Sequence, residues 1–417
     1  MCFSVLEDAL AARGLSVGVR FCGLSHIAEL ARELSPHCRA AIVAGEGEAP
    51  FLLSGVRESL REFKPVCVVL GEGERHGDLF SLPDDVRIAV GAGEAGIAAA
   101  RFFATVRGCK CIALPLSPSA RGCFEKQAGG HFAGYPTALP DLIVADGRNM
   151  RGFAPALAET SLCLLCAEDL RVDRVFSGGI HAENAARAGR AGALNSVYGE
   201  AAWTAAAENA QFPCDALADC SDDAAGREKL LCADAIFRLL LSELPPFPAV
   251  QALEAERRKY GRAGIAFALL HFFALAYERL FSNGQPRRYF VPAYAERALR
   301  AAEYAGAAPA RIFANVHIPS AEESFARVRT FAECRARLLS SARLLRASVN
   351  AVSAAYFAAG GEDTRADEKR LSRAFDFSAE LSPLFSVPAL CREFGLLPNP
   401  QPSVAESLQT LRRACGK

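Results

Sequence analysis

The chain has 417 residues, enough for two or three domains, with 51% apolar and 23% charged side chains, a balance that argues against membrane, fibrous and disordered classes. Its 47 basic and 47 acidic side chains cancel, so no net positive field draws a polyanion and nucleic-acid binding is not expected. The 15 cysteines include no Cys-x-x-Cys with a matching second pair, so they read as reduced, mostly buried small side chains rather than a disulfide framework or a zinc module.

Residues 1–14 carry acidic side chains and no basic segment leading into an apolar one, so no secretory signal is read and a cytoplasmic location is expected. Short apolar runs rich in Val, Ile and Cys then alternate with helical stretches, the sequence form of βα units over a parallel sheet. Strands are predicted at 16–22, 39–44, 65–70, 86–90, 109–115 and 141–145, with helices at 25–34, 55–63 and 95–106. Beyond about residue 150 the segments are Ala-, Leu- and Arg-rich with a helical period. Helices are predicted at 154–175, 181–210, 224–242, 249–280, 292–305, 320–358 and 366–381, with an amphipathic piece near 403–414. The uncharged stretch 263–277 falls short of the roughly 18 to 20 residues a bilayer demands and is read as a buried core helix, so no membrane span is expected.

The division that follows is an α/β nucleotide-binding-type domain over 1–150, with a Rossmann-like parallel sheet, and an all-helical domain over 151–417 with an extension from about 310. The cleft between the two is the expected seat of a small-molecule ligand. The extension is a candidate surface for homo-oligomerisation or a partner.

The densest local chemistry lies at 87–97, where a predicted strand runs into Gly91-Ala92-Gly93-Glu94-Ala95-Gly96 and then a helix. Glycines at this spacing let the backbone approach a diphosphate, whose charge is stabilised by amides at the helix N-terminus. The pattern follows the fourth strand rather than the first, and no acidic residue ends a strand about 20 residues later to hold a ribose. A plain strand-to-helix turn accounts for it equally well.

This turn, the following Cys111-Ile112-Ala113-Leu114-Pro115-Leu116-Ser117-Pro118-Ser119-Ala120-Arg121-Gly122, the segment Pro140-Asp141-Leu142-Ile143-Val144-Ala145-Asp146 and the helical second half together resemble the glycerol-1-phosphate dehydrogenases, a family grouped with dehydroquinate synthase and the iron-containing alcohol dehydrogenases. The resemblance implies a dehydroquinate synthase-like fold and an NAD or NADP cofactor bound by Gly91, Ala92, Gly93, Gly96, Pro115 and Ser119. It also exposes departures. Ile97 and Ala100 stand where the family's turn has Asp and Lys, Leu116 replaces a Thr, and Arg121 replaces an Asp. Laid onto the family's three metal ligands, the chain offers Leu164, Phe267 and Asn283; Leu and Phe cannot ligate a cation and one amide is a weak ligand for zinc or ferrous iron, so no metal is expected. A rebuilt site from Asp169, Asp173, His181 and His271 is the alternative, with Ser119 and His271 as candidate catalytic residues. His271 lies in an apolar run, where a hydrogen-bonded core histidine is the simpler reading.

Arg121, Lys126, Arg287 and Arg288 could form an anion site, although solvated surface charge explains each as well. The turns at 45–48 and 71–74 carry glutamates that would repel a diphosphate and read as plain turns. The expected function is therefore a divergent member of the polyol-phosphate dehydrogenase family that keeps the fold and a nucleotide or phosphorylated ligand without metal-dependent catalysis. The alternative is an active oxidoreductase that reduces a small phosphorylated ketone or aldehyde with NAD(P)H.

Overall fold

The structure, a computed structural model, describes residues 2–47, 49–71, 79, 81–124, 135–176, 214–217, 220–243, 246–260, 264–286, 292–362 and 367–396. They form two compact units, Met1–Ala156 with Asp219–Ser242, and Leu157–Ala218 with Glu243–Lys417. The helices predicted at 181–210 and 403–414, and Lys126, Arg287, Arg288 and His181, lie outside the described residues.

In the first unit six strands make one parallel sheet: β1 (Gly18–Phe21), β2 (Arg39–Gly45), β3 (Val66–Leu70), β4 (Val86–Ala92), β5 (Lys110–Leu114) and β6 (Leu142–Ala145). All six stand within two residues of the predicted ends: the inner strands β2, β4, β5 and β6 are largely buried on both faces and read as apolar runs, and the half-exposed edge strand β3 keeps an apolar Val- and Cys-rich sequence. Their order in space is β1-β6-β5-β4-β2-β3. One face packs Ile42, Ala44, Ile88, Val90 and Ile112 against Ile27 and Ala31 of α2 (Ile27–Leu34) and Val56 of α3 (Ala49–Ser59). The alternate residues Ala41, Val43, Ala89 and Cys111 face Ala99, Ala100 and Phe103 of α4 (Gly93–Arg107). A first helix, α1 (Cys2–Ala11), precedes the sheet in a stretch that sequence analysis had read only for targeting.

The strand order fixes where a ligand can sit. From β2 the chain moves on to β3 on one side, whereas from β4 it moves to β5 on the other. The carboxyl ends of these adjacent strands therefore bound a topological switch point, the place where open α/β sheets bind ligands.

The remaining helices are α5 (Phe153–Thr160), α6 (Leu162–Phe176), α7 (Ala224–Glu243), α8 (Pro248–Tyr260), α9 (Ile265–Asn283), α10 (Tyr294–Ala305), α11 (Pro309–Phe313), α12 (Ala321–Ala358), α13 (Glu368–Leu381) and α14 (Val387–Phe394). The single helix predicted over 154–175 is two, broken at Ser161, whose hydroxyl donates back to the Leu157 carbonyl. The one predicted over 249–280 is likewise α8 and α9. Helices α11 and α14 were not predicted. The segment 219–242, which composition places with the helical part, belongs to the first unit: Arg227 donates to the Met150 carbonyl (3.0 Å), Glu228 accepts from the Gly147 amide (3.1 Å), and a Cβ at Gly147 would lie 2.1 Å from the Ala224 carbonyl oxygen.

In the second unit α9 supplies the core, with Phe272, Phe273 and Tyr277 packed around Phe375 of α13. At 19 residues it is long and apolar enough by composition to cross a bilayer, beyond the uncharged run that defined it in the sequence, yet 78% of its apolar window is buried inside the protein, as in a core helix. Helix α12 spans about 57 Å at 1.5 Å per residue and opens with a capping box in which Ser320 and Glu323 each accept the other's backbone N–H. Phe325, Val328 and Leu344 on it are exposed. A chain of buried or half-buried charges joins α10, α12, α13 and α14: Arg297 pairs with Asp376 and Glu380, Glu380 with Arg392, and Glu393 with Arg392 and Arg327.

Candidate functional site

Each glycine of the turn after β4 answers a different steric demand. A Cβ on Gly91 would stand 2.5 Å from the Gly96 carbonyl oxygen, beneath the start of α4, and one on Gly96 would stand 2.4 Å from the Val43 carbonyl oxygen of β2. Gly93 sits at φ +69°, where an L side chain is strained. The N-cap Ala92 is extended and has no side-chain oxygen to cap the helix, so the first amides of α4 are presented at the switch point with the positive end of the helix dipole. Glu94 in that first turn brings a negative charge, and Arg121, 3.7 Å away, balances it.

The segment after β5 closes over the same helix. Gly122, at φ +84°, lies against the side chain of Ile97, and Arg101, buried completely, donates to the carbonyls of Gly122, Ala138 (2.9 Å) and Thr137 (3.5 Å). Ile97 and Ala100, the positions where the resemblance implies Asp and Lys, are both buried in apolar packing; the polar work at this point of α4 falls to Arg101 instead.

Ser119 is held from far along the chain. Its hydroxyl donates to Asp234 of α7 (2.9 Å), the Ala120 amide donates to the same carboxylate oxygen (2.7 Å), and so does Arg238 (2.7 Å). Asp234 and Arg238 escaped the sequence reading because an Asp and an Arg four apart on a helix look like an exposed ion pair. Removing the carboxylate by Asp234→Ala takes one acceptor from three donors, two of them in the Ser119 segment. A loss of about 3 kcal/mol in denaturant unfolding is expected.

In the second unit Leu164 is buried on α6, and Phe267 stacks on Tyr356 (4.1 Å between ring centroids) with Phe357 and His271 at its edges. Asn283 is exposed at the far end of the same helix as Phe267, about 24 Å along it at 1.5 Å per residue. Leu164 and Phe267 carry no donor, so these positions do not fit the family's metal, and the separation along α9 shows that Asn283 is not the third member of such a site. Among the described residues no group of three His, Cys, Asp or Glu side chains is placed to hold a cation.

The alternative residues are occupied structurally. Asp169 accepts from the Tyr277 hydroxyl (2.8 Å) and the Val387 amide (3.1 Å), and Asp173, one turn on, accepts from the Phe385 amide (2.8 Å), so both hold the chain entering α14. His271 shares a short hydrogen bond of its Nε2 with the Ser353 hydroxyl (2.7 Å), and burial pushes its pKa down to about 3. It is therefore a neutral core histidine at physiological pH, and Ser119 lies in the other unit.

Burial pushes the Asp169 carboxyl up to about 7, against the two hydrogen bonds that favour its charged form. Between the unfolded value near 4 and about 7 the folded chain keeps a proton that the unfolded chain has released, so stability falls as pH rises through that window and levels off above it. Asp169→Asn should reduce the difference in unfolding free energy between pH 5 and pH 8 by about 2 to 3 kcal/mol, measured in urea. The neighbouring Glu168 is also raised by burial, and its charge adds to the upward shift at Asp169.

No family profile and no curated protein matches the sequence. Solved structures do match. Over 96% of this chain and 97% of the other, 1,3-propanediol oxidoreductase superposes with a TM-score of 0.52 at 11% identity. The chain has that enzyme's fold. Maleylacetate reductase from Agrobacterium tumefaciens (TM-score 0.49, 13% identity, 96% and 95% covered) and an iron-containing alcohol dehydrogenase from Thermotoga maritima (0.47, 11%, 96% and 98%) are also similar. Identities this low speak for the fold alone, so the chemistry has to be argued from the residues.

Proposed function

We propose that this chain binds a nucleotide or another phosphorylated small molecule at the Gly91–Gly96 turn and has lost the metal-dependent hydride transfer of the dehydrogenases it resembles. One observation carries the reading: the N-terminus of α4, without a side-chain cap and with Glu94 and Ala95 exposed, follows β4 at the sheet's switch point. NAD or NADP is the ligand the resemblance suggests, and when bound it would supply a nicotinamide able to exchange hydride. The amides of Gly93, Glu94 and Ala95 would take the diphosphate, and the Ser119 segment, fixed by Asp234, would border it. Loss of metal catalysis is supported by the aromatic stack at Phe267 and the leucine at 164. An ion that stabilises a developing alkoxide contributes several kcal/mol to such reactions, and no described donor set replaces it.

The test is thermal and urea unfolding with NAD, NADP, ATP and glycerol phosphate. A ligand that binds only the folded chain adds about 2.7 kcal/mol at a hundredfold excess over Kd. Glu94→Gln should tighten binding severalfold by removing a like charge from the first turn of α4. Silence from all four ligands would overturn the binding reading. Turnover of NADPH with a small phosphorylated ketone would favour the active oxidoreductase instead.

A further inference from the structure

The sulfurs of Cys163 and Cys214 lie 3.9 Å apart, in van der Waals contact, although 51 residues separate them in sequence. Cys163 is buried in the first turn of α6, and Cys214, at the start of a helical turn over 214–217, is half-buried. We propose that Cys163 and Cys214 form a redox modification site, a dithiol that a peroxide converts reversibly to a disulfide.

The geometry suits the bond. A disulfide has an S–S length of about 2.05 Å, so the sulfurs must close by roughly 2 Å, within reach of side-chain rotation and a small shift of the 214–217 turn. The two cysteines also differ in access, which sets the order of events. Cys214, the more exposed, meets the peroxide: its sulfur attacks the O–O bond, becomes a sulfenic acid, and one water leaves. Cys163 then attacks that sulfur, the S–S bond forms as the S–O bond breaks, and the hydroxyl departs with the Cys163 proton as a second water. Two thiols are oxidised and one peroxide is reduced to two waters. Cys163 is placed for the second step by its sulfur contact with Cys214. Cys166, one turn further on, is the competing thiol, and burial, Asp169 and Cys214 itself all push its pKa up; the sulfur contact of Cys214 is with Cys163. The inference is independent of nucleotide binding, since both cysteines belong to the second unit.

The experiment starts from fully reduced protein treated with one equivalent of hydrogen peroxide at neutral pH, followed by alkylation of the remaining thiols, digestion and mass spectrometry. The expected product is a Cys163–Cys214 linked peptide with Cys166 alkylated. Dithiothreitol should remove the link, and the linked form should melt at a higher Tm than the reduced form because the cross-link closes a long loop. Cys214→Ser, at the half-buried site, and Cys163→Ser should each abolish it, while Cys166→Ser should leave it intact. A bridge from Cys214 to any other cysteine would overturn the proposal, as would recovery of Cys163 and Cys214 both alkylated once the peroxide is consumed.

Discussion

Glu393→Gln is expected to lower the stability of the chain by about 3 to 5 kcal/mol, read as a shift in the urea midpoint with an unchanged slope. The carboxylate receives Arg327 through both of its oxygens (2.5 and 2.6 Å), with each side chain exposed by 5% or less. The substitution keeps the shape and deletes the charge, so the guanidinium, with the Phe385 ring 4.3 Å from its carbon, is left in the interior without the anion that offset its desolvation. Arg392, the other cation on Glu393, retains Glu380 at 3.5 Å, so the damage should centre on Arg327. This makes a discriminating second measurement. Arg327→Met combined with Glu393→Leu removes both charges, and most of the lost stability should return, because a buried ion pair is often no better than well-packed apolar side chains. A double variant as unstable as Glu393→Gln would mean that packing, not charge, had been lost.

The second large effect is expected from a single methyl group. Gly96→Ala places a Cβ 2.4 Å from the Val43 carbonyl oxygen and 3.0 Å from the Ala44 Cα, and both obstacles are backbone of a central strand. Relief requires α4 to move off the sheet, where Ala99, Ala100 and Phe103 pack against Ala41, Val43 and Ala89. A loss of about 3 kcal/mol or more in chemical denaturation is expected, at the upper end of overpacking effects. The same displacement carries the amides of Glu94 and Ala95 out of position. Any ligand that raises the melting temperature of the unaltered chain should therefore bind far more weakly to the variant, even at temperatures where it is folded. A variant of unaltered stability would show that α4 and β2 lie further apart than described.

These two cases show what the amino-acid sequence made legible. The inner strands were readable because burial on both faces leaves runs such as Ala40–Gly45 with no polar alternation to confuse them. The spatial order of the six was not, since pairing of β1 with β6 depends on crossovers that leave no local mark. The glycine spacing at 91–96 was visible, yet only the structure assigns Gly96 to the carbonyl of Val43. Asp234 and Arg238 carry no signal beyond an ordinary i, i+4 pair, because their function is to reach a segment 115 residues earlier in the chain. One helix was read over 249–280 because the helical period runs through it, whereas α8 ends at Tyr260 and α9 begins at Ile265 with Gly264 as its N-cap. The pairing of Phe267 with Asn283 as parts of one site failed for a related reason: matching short motifs one by one ignores that an unbroken helix sets its residues apart by a fixed rise.

The composition of the first unit bears on how the chain can be made. Its edge strand β1 has no pairing partner until β6 has emerged, since Gly18 through Phe21 pair with Leu142 through Ala145. Its loop after β5 lacks its anchor until α7 has followed, beyond the whole of Leu157–Ala218. At about 5 to 20 residues per second, a ribosome holds the sheet in an unfinished state for many seconds, while the intervening helices are already outside. The two units cannot mature one after the other in the manner of beads on a string. A nascent chain of this protein exposes sheet edges and apolar helix faces together, which is the situation that calls on chaperones, and a fragment truncated after residue 156 would carry that unfinished surface permanently.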